Sequence, residues 1–297
     1  MDGKMDILKG AVGISMPAMS NEPIDGTFIG EALDDDAKIN SLITMNKPEI
    51  IALVGFVGYG KTSFIASFYH TLLREGKIRD YELFDSDTLT GLERRLFLRR
   101  YHEKLSSVAP NTIRTIRGEP HLLTFHLSNP QKGEKVIIIS DHSGEDYQEY
   151  VDTKAKLEND VLLRNANRII FFIDCGKLLT ADIMSMRQNY LTLITNMKEY
   201  SVLKPDVKIQ FLFNKIDLTE SKKDTYESKK KTFLDKMSEA IGFEITNTPE
   251  VVSNQINNNT TVLDVFYDII DNTSVQSNVN DTEISQLDWA KNFLKSK

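Results

Sequence analysis

Cysteine and tryptophan are nearly missing from this 297-residue chain, which has one of each, Cys175 and Trp289. A lone cysteine excludes a disulfide framework and a cysteine-based metal cluster, fits a reducing compartment, and reads as a small buried apolar residue. Positive charge is also in short supply: 36 Lys and Arg stand against 43 Asp and Glu, a formal net charge of -7. Nucleic-acid phosphates and anionic membranes repel such a molecule, so direct nucleic-acid binding is not expected. No apolar run approaches the roughly 18 residues of a membrane helix. The segment AVGISMPAM near the start is short, broken by Pro17 and preceded by an acidic leader, unlike a secretion signal. A soluble, cytoplasmic protein is expected. What the chain does have is 40% hydrophobic residues, enough for a substantial core in one large domain with extensions.

Residues 1–47 carry Gly, Pro and the acidic cluster EALDDDAK without sustained periodicity, as an irregular extension capped by a short helix would. From Pro48 the pattern becomes regular. EIIALVG is a continuous apolar run ending in glycine, and KTSFIASFYHTLLREGK spaces its apolar residues helically up to Gly76. HLLTFHLS and KVIIIS are separated by NPQKGE and read as a hairpin, which predicts one antiparallel strand. NRIIFFIDC and KIQFLFNKID are two further buried strands followed by helical stretches, and EVVSNQ is a short last one. Strands alternating with helices predict an α/β fold with a doubly wound, mostly parallel sheet of about six strands and helices on both faces. Residues 273–297 are polar and linker-like, with one short amphipathic helix at QLDWAKNFLKSK.

Between the first strand and its helix lies GFVGYGKT, the P-loop pattern. Gly55, Gly58 and Gly60 let backbone N–H groups converge on phosphate oxygens, and the helix offers its positive N-terminus. Lys61 neutralises the outer phosphates and Thr62 supplies a hydroxyl for Mg2+. Val57, Tyr59 and Ser63 complete the loop that would wrap the nucleotide. Further on, FNKIDL places Asn214, Lys215 and Asp217 beyond the end of a buried strand, where open parallel sheets bind ligands. An Asp carboxylate accepts two hydrogen bonds from the N1–H and exocyclic amine of guanine, a donor pair that adenine lacks. GTP or GDP is the expected ligand.

The series GFVGYGKT, DHSGED, FNKID and VVSNQ resembles the motifs of the translation-factor and Ras-like branch of P-loop GTPases, over residues 48 to about 272. Within that branch the chain is similar to the double-GTPase proteins of bacterial conflict and defence gene clusters. The resemblance implies a Mg-GTP ligand and two switch segments that reorder when the γ-phosphate is lost. It implies that Asp141 holds Mg2+ through water and that Gly144 gives its N–H to the γ-phosphate. Lys215 would lie along the base, with Ser253 and Asn254 presenting backbone to it. The first switch needs a threonine that reaches Mg2+ and the γ-phosphate, and Thr115 is the candidate, with Thr112 as the alternative.

Three departures from the family pattern bear on hydrolysis. Val57 stands where small GTPases have glycine. Glu145 stands where Ras-like proteins have the glutamine that orients water; a carboxylate accepts a proton but cannot donate the amide hydrogen bond. His142 is either a substitute for that glutamine or a packed loop histidine. The stretch at about 80–118 is an unusually long first-switch insert, mostly a helix, in which Arg94, Arg95, Arg99 and Arg100 recur, with Arg114 and Arg117 beyond. These arginines read as a solvated helix face, as a docking site for an acidic partner, or, for Arg114 or Arg117, as an arginine finger in cis. The expected function is a GTP-binding switch that hydrolyses GTP slowly to GDP and phosphate, with Lys61, Glu145, His142 and Arg114 as candidate catalytic groups and a regulatory or effector protein as partner. The alternatives are a non-hydrolysing GTP-binding scaffold and an ATP-dependent P-loop enzyme.

Overall fold

The most apolar runs of the chain lie side by side at the centre of one sheet. The computed structural model describes residues 31–33, 41, 42, 44, 47–102, 112, 115, 122–255 and 260–275. Its elements are β1 (Glu49–Val54), α1 (Lys61–Glu75), β2 (Glu82–Asp85), α2 (Leu89–His102), β3 (Leu122–Asn129), β4 (Gly133–Ser140), α3 (Gly144–Asp152), α4 (Val161–Asn165), β5 (Arg168–Asp174), α5 (Cys175–Leu178), α6 (Ile183–Glu199), β6 (Lys208–Asn214), α7 (Lys223–Ile241), β7 (Glu250–Val251) and α8 (Thr260–Asn272). Strand order is β2-β3-β4-β1-β5-β6-β7. β1 is parallel to β4 and β5, and β6 is parallel to β5 and β7. Both β1 and β5 are buried at every position, as strands covered on two faces must be.

Successive side chains of a strand point to opposite faces, and β5 uses this to bind both helical layers. Phe172 meets Phe64 of α1 with ring centroids 5.5 Å apart, whereas Phe171 meets Tyr190 of α6 at 6.0 Å. Phe266 of α8 then packs on Phe64 and Phe68 of α1, while Phe233 of α7 packs on Tyr190. The doubly wound architecture read from the sequence is therefore the one observed. Cys175 is buried, and burial pushes its thiol up to about 12, in keeping with an inert apolar role.

Among the described strands β3 is the antiparallel one, paired with β4 on one side and β2 on the other. The side-chain oxygen of Asn129 accepts from the backbone N–H groups of Gln131 and Lys132 at 2.8 Å each, and Gly133 at φ 92° closes the turn. This is the hairpin expected at NPQKGE. The sheet has seven strands where about six were expected. The addition is β2, whose sequence ELFD is largely exposed and too short to show a period of two.

The insert is helical, as expected, over α2. Its start is tied to β3: Thr88 accepts at its carbonyl from Leu92 N–H and at its hydroxyl from Thr124 N–H. Leu92 and Leu96 are buried, and Arg95 lies with them on the inner face, 4% exposed. The solvated-face reading is thus corrected for Arg95: three and four residues apart, these side chains share one stripe. Arg94 faces outward and pairs with Glu31 at 3.3 Å. Leu33 exchanges backbone hydrogen bonds with Leu122, so this end of the N-terminal extension lies against β3. Most of the rest of that extension, with Arg114, Arg117 and residues 276–297 including Trp289, lies outside the described residues. Among the described residues no helix is long and apolar enough to cross a membrane.

Candidate functional site

At the carboxyl ends of β1, β4 and β6 the chain encloses a cavity of about 430 Å³. Its lining gathers four separate parts of the sequence, Val57 to Ser63, His142 to Gly144, Asn214 with Lys215, and Ser253 with Asn254, while Thr112 and Thr115 close one side. Gly58 and Gly60 take φ values of 80° and 94°, a left-handed conformation that costs a side-chain-bearing residue energy. Gly60 has a second reason to be glycine, because a Cβ there would lie 2.1 Å from the Asn214 side-chain nitrogen. It also begins α1 with no side-chain cap, so the first N–H groups of that helix have no side-chain acceptor and suit an anion.

Lys61 is buried and donates to the Gly55 carbonyl at 2.5 Å, with its ammonium 5.5 Å above the Tyr147 ring. Burial pushes its pKa down to about 8 against the pull of Asp141 and Asp146. An ammonium held in so poorly solvated a place gains from any phosphate that arrives. Gly55, a candidate binding residue of the loop, does not line the cavity.

Thr62, Thr115 and Asp141 converge although the sequence separates them widely. Thr62 Oγ1 donates to Asp141 Oδ1 at 2.9 Å, Thr115 Oγ1 donates to Asp141 Oδ2 at 2.9 Å, and the two hydroxyls stand 3.3 Å apart. Two hydroxyls and a carboxylate are the hard oxygen donors that suit Mg2+, so the residues fit the metal that the P-loop pattern implies. Of the two threonine candidates, both line the cavity and Thr115 is the one joined to Thr62 and Asp141. Arg95 completes the group with Nε 2.7 Å from Asp141 Oδ2.

The Asn214–Asp217 loop is bound to the glycine loop that follows β1. Asn214 donates to the Tyr59 carbonyl at 2.9 Å and accepts from Ser253 N–H at 3.0 Å. Lys215, at φ 64°, donates to the Gly58 carbonyl at 2.8 Å and to Asp174 at 2.6 Å. Asp174 was not anticipated. It ends β5 beside Asn214 in the sheet register and also accepts from Lys177 N–H at the start of α5. The available signal was an acid directly after the apolar run IIFFI. Asp217 is exposed and outside the cavity lining.

In DHSGEDY, Ser143 caps α3 in a reciprocal arrangement with Asp146: Asp146 N–H donates to the Ser143 hydroxyl, and Ser143 N–H donates back to Asp146 at 2.9 Å. This capping box was legible as Ser followed three residues later by an acid. His142 is buried with Nδ1 against Ser140 and Nε2 3.1 Å from Asp160. Burial, the largest influence, works against its protonation, but the charge and hydrogen bond of Asp160 together with the Asp146 charge prevail and raise its pKa. Both ring nitrogens are therefore engaged within the protein, which is the packed-histidine alternative. Glu145 does not line this cavity; it faces an adjacent one with Gln148, Lys177, Asp182 and Asn189.

No curated protein matches the chain. The model of the Double-GTPase 2 family matches residues 49–268, a span that takes in the P-loop, Asp141 and Gly144, the Asn214–Asp217 loop and Ser253 with Asn254, and by that match the chain belongs to the Double-GTPase 2 family of GTPases.

Proposed function

We propose that this protein is a GTP-binding switch that hydrolyses GTP slowly and answers to a protein partner. The observation that carries the reading is the single cavity in which Lys61, the Thr62–Asp141–Thr115 group and the Asn214–Lys215 loop meet. In this reading the backbone of Val57 to Ser63 wraps the phosphates, and Lys61 leaves the Gly55 carbonyl for the outer phosphate oxygens. Thr62, Thr115 and Asp141 would hold Mg2+, which would neutralise charge on the outer phosphates. Asp217 swings onto the guanine edge while Lys215, Ser253 and Asn254 border the base. Residues 48–272 act as the G domain and the chain works in the cytoplasm.

The slow-hydrolysis part of the reading is supported by the positions of Glu145, outside the cavity, and His142, held by Ser140 and Asp160. Neither presents a free group to an attacking water, so a partner or a rearrangement of α3 supplies it. The same observation favours a second reading, a scaffold that keeps GTP intact. Purified protein with Mg2+ and a choice of guanine and adenine nucleotides decides between them. Guanine preference with phosphate released over hours supports the switch, unchanged GTP supports the scaffold, and preference for ATP or none at all overturns both.

A further inference from the structure

Asp141 is fully buried, and a buried carboxylate is stable only beside a positive charge or a dense set of donors. Among the described residues its donors are the hydroxyls of Thr62 and Thr115 and the guanidinium of Arg95, whose Nε lies 2.7 Å from Oδ2. Lys61, a second buried cation among the described residues, gives its hydrogen bond to the Gly55 carbonyl instead. The guanidinium is held in place from behind: Nη1 donates to the Gly91 carbonyl at 3.1 Å and lies 3.9 Å from Glu31. Gly91 admits the N-terminal extension, since a Cβ there would come 2.8 Å from Ala32 N. Arg95 does not line the nucleotide cavity, so it approaches Asp141 from outside the space a phosphate would fill.

We propose that Arg95 is a resident counter-cation of the magnesium site, a positioning residue that holds Asp141 without metal and raises the Mg2+ concentration needed to retain nucleotide. The inference rests on the GTP-binding reading above. Mg2+ and a guanidinium compete for the negative charge of one carboxylate, and the protein without nucleotide stays intact because the carboxylate is already balanced. In an acidic protein this makes nucleotide retention answer to metal supply and to anything that moves α2.

The test uses the full chain as wild type, Arg95→Met, Arg95→Gln and Arg95→Lys. Binding of a fluorescent GDP is followed against free Mg2+, alongside the thermal midpoint without nucleotide or metal. Arg95→Gln keeps an N–H donor for Asp141 and covers the case in which Arg95→Met does not fold. Removing the charge should lower the Mg2+ half-point by roughly tenfold or more and lower the metal-free midpoint, while Arg95→Lys should stay close to wild type. An unchanged half-point in a folded charge-free variant makes Arg95 a structural prop only and overturns the proposal. A raised half-point, or weaker GDP binding at saturating Mg2+, makes it a nucleotide contact and overturns it as well. If wild type retains no guanine nucleotide at any Mg2+ concentration, the GTP-binding reading itself has failed.

Discussion

A Cβ on Gly144 would lie 2.1 Å from the amide nitrogen of Val57 and 2.5 Å from its Cα. The first turn of α3 thus rests directly on the phosphate loop, and the loop that follows β4 cannot move without the P-loop registering it. Gly144→Ala would have to push the two apart. Overpacking of this kind costs about 1–3 kcal/mol, so the thermal midpoint should fall. In the proposed reading Gly144 reaches the γ-phosphate, so the ratio of GTP to GDP affinity should shrink towards one. Calorimetric titration with both nucleotides checks this, and an unchanged ratio would detach Gly144 from γ-phosphate sensing.

Lys61→Ala should weaken GTP binding by about a hundredfold, the scale of a lost charge-assisted hydrogen bond. Because burial already pushes the Lys61 pKa down to about 8, the ammonium is costly in the nucleotide-free protein. Its removal should leave the thermal midpoint unchanged or raise it. Normal GTP affinity in this variant would contradict the P-loop assignment.

Asp217 is exposed, so Asp217→Asn should change stability by no more than about 0.5 kcal/mol. Its effect belongs to recognition: GTP affinity should drop by about two orders of magnitude or more, and xanthosine nucleotides should bind in its place. Competition binding with the two triphosphates reads the exchange. Equal losses for both bases would remove Asp217 from base recognition.

Asn214 joins the Tyr59 carbonyl to the Ser253 N–H, and Asn214→Ala leaves both groups short of a partner. Each buried polar group orphaned in this way costs about 1–3 kcal/mol. Stability and nucleotide affinity should therefore fall together, with the loss in affinity larger for the whole nucleotide than for free pyrophosphate. A loss of stability with affinity intact would confine Asn214 to the fold.

Asp160 and His142 form a buried pair whose titrations run in opposite directions. Burial favours the neutral acid at Asp160, but the charge and hydrogen bond of His142 prevail and hold its pKa near about 2, below the ordinary 3.8. Its stabilisation is complete above the ordinary value and is lost as pH falls towards about 2. The His142 pKa is raised from 6.5, so its contribution is complete below that value and fades as pH rises through the raised one. Asp160→Asn should lower stability by about 3–5 kcal/mol and flatten both limbs of the midpoint-versus-pH curve. Unaltered pH slopes in that variant would sink the pairing argument.

Much of the site was legible because its chemistry is written in short local patterns. GFVGYGKT needs only its own backbone and the helix it starts, and both flanking elements were visible in the apolar spacing. The Asn214 loop was legible for the same reason, as a polar cluster closing a buried strand. The β3–β4 hairpin followed from Pro130 and Gly133 between two apolar runs. Asp174 and the Ser143–Asp146 capping box were within reach of the same reasoning, as an acid after a strand and a serine three residues before an acid.

The sequence by itself determined the class of ligand loops and the alternation of strand and helix, because residues a few positions apart carry that information through backbone periodicity. Tertiary structure alone decided what balances Asp141. The stripe of Leu92, Arg95 and Leu96 marks an inner face of α2, yet nothing local says that this face meets a carboxylate 46 residues away. It likewise decided that His142 is tied to Asp160 and that Glu145 faces the adjacent cavity. Those outcomes depend on how α2 and α3 pack across the sheet, a long-range geometry that local spacing does not encode.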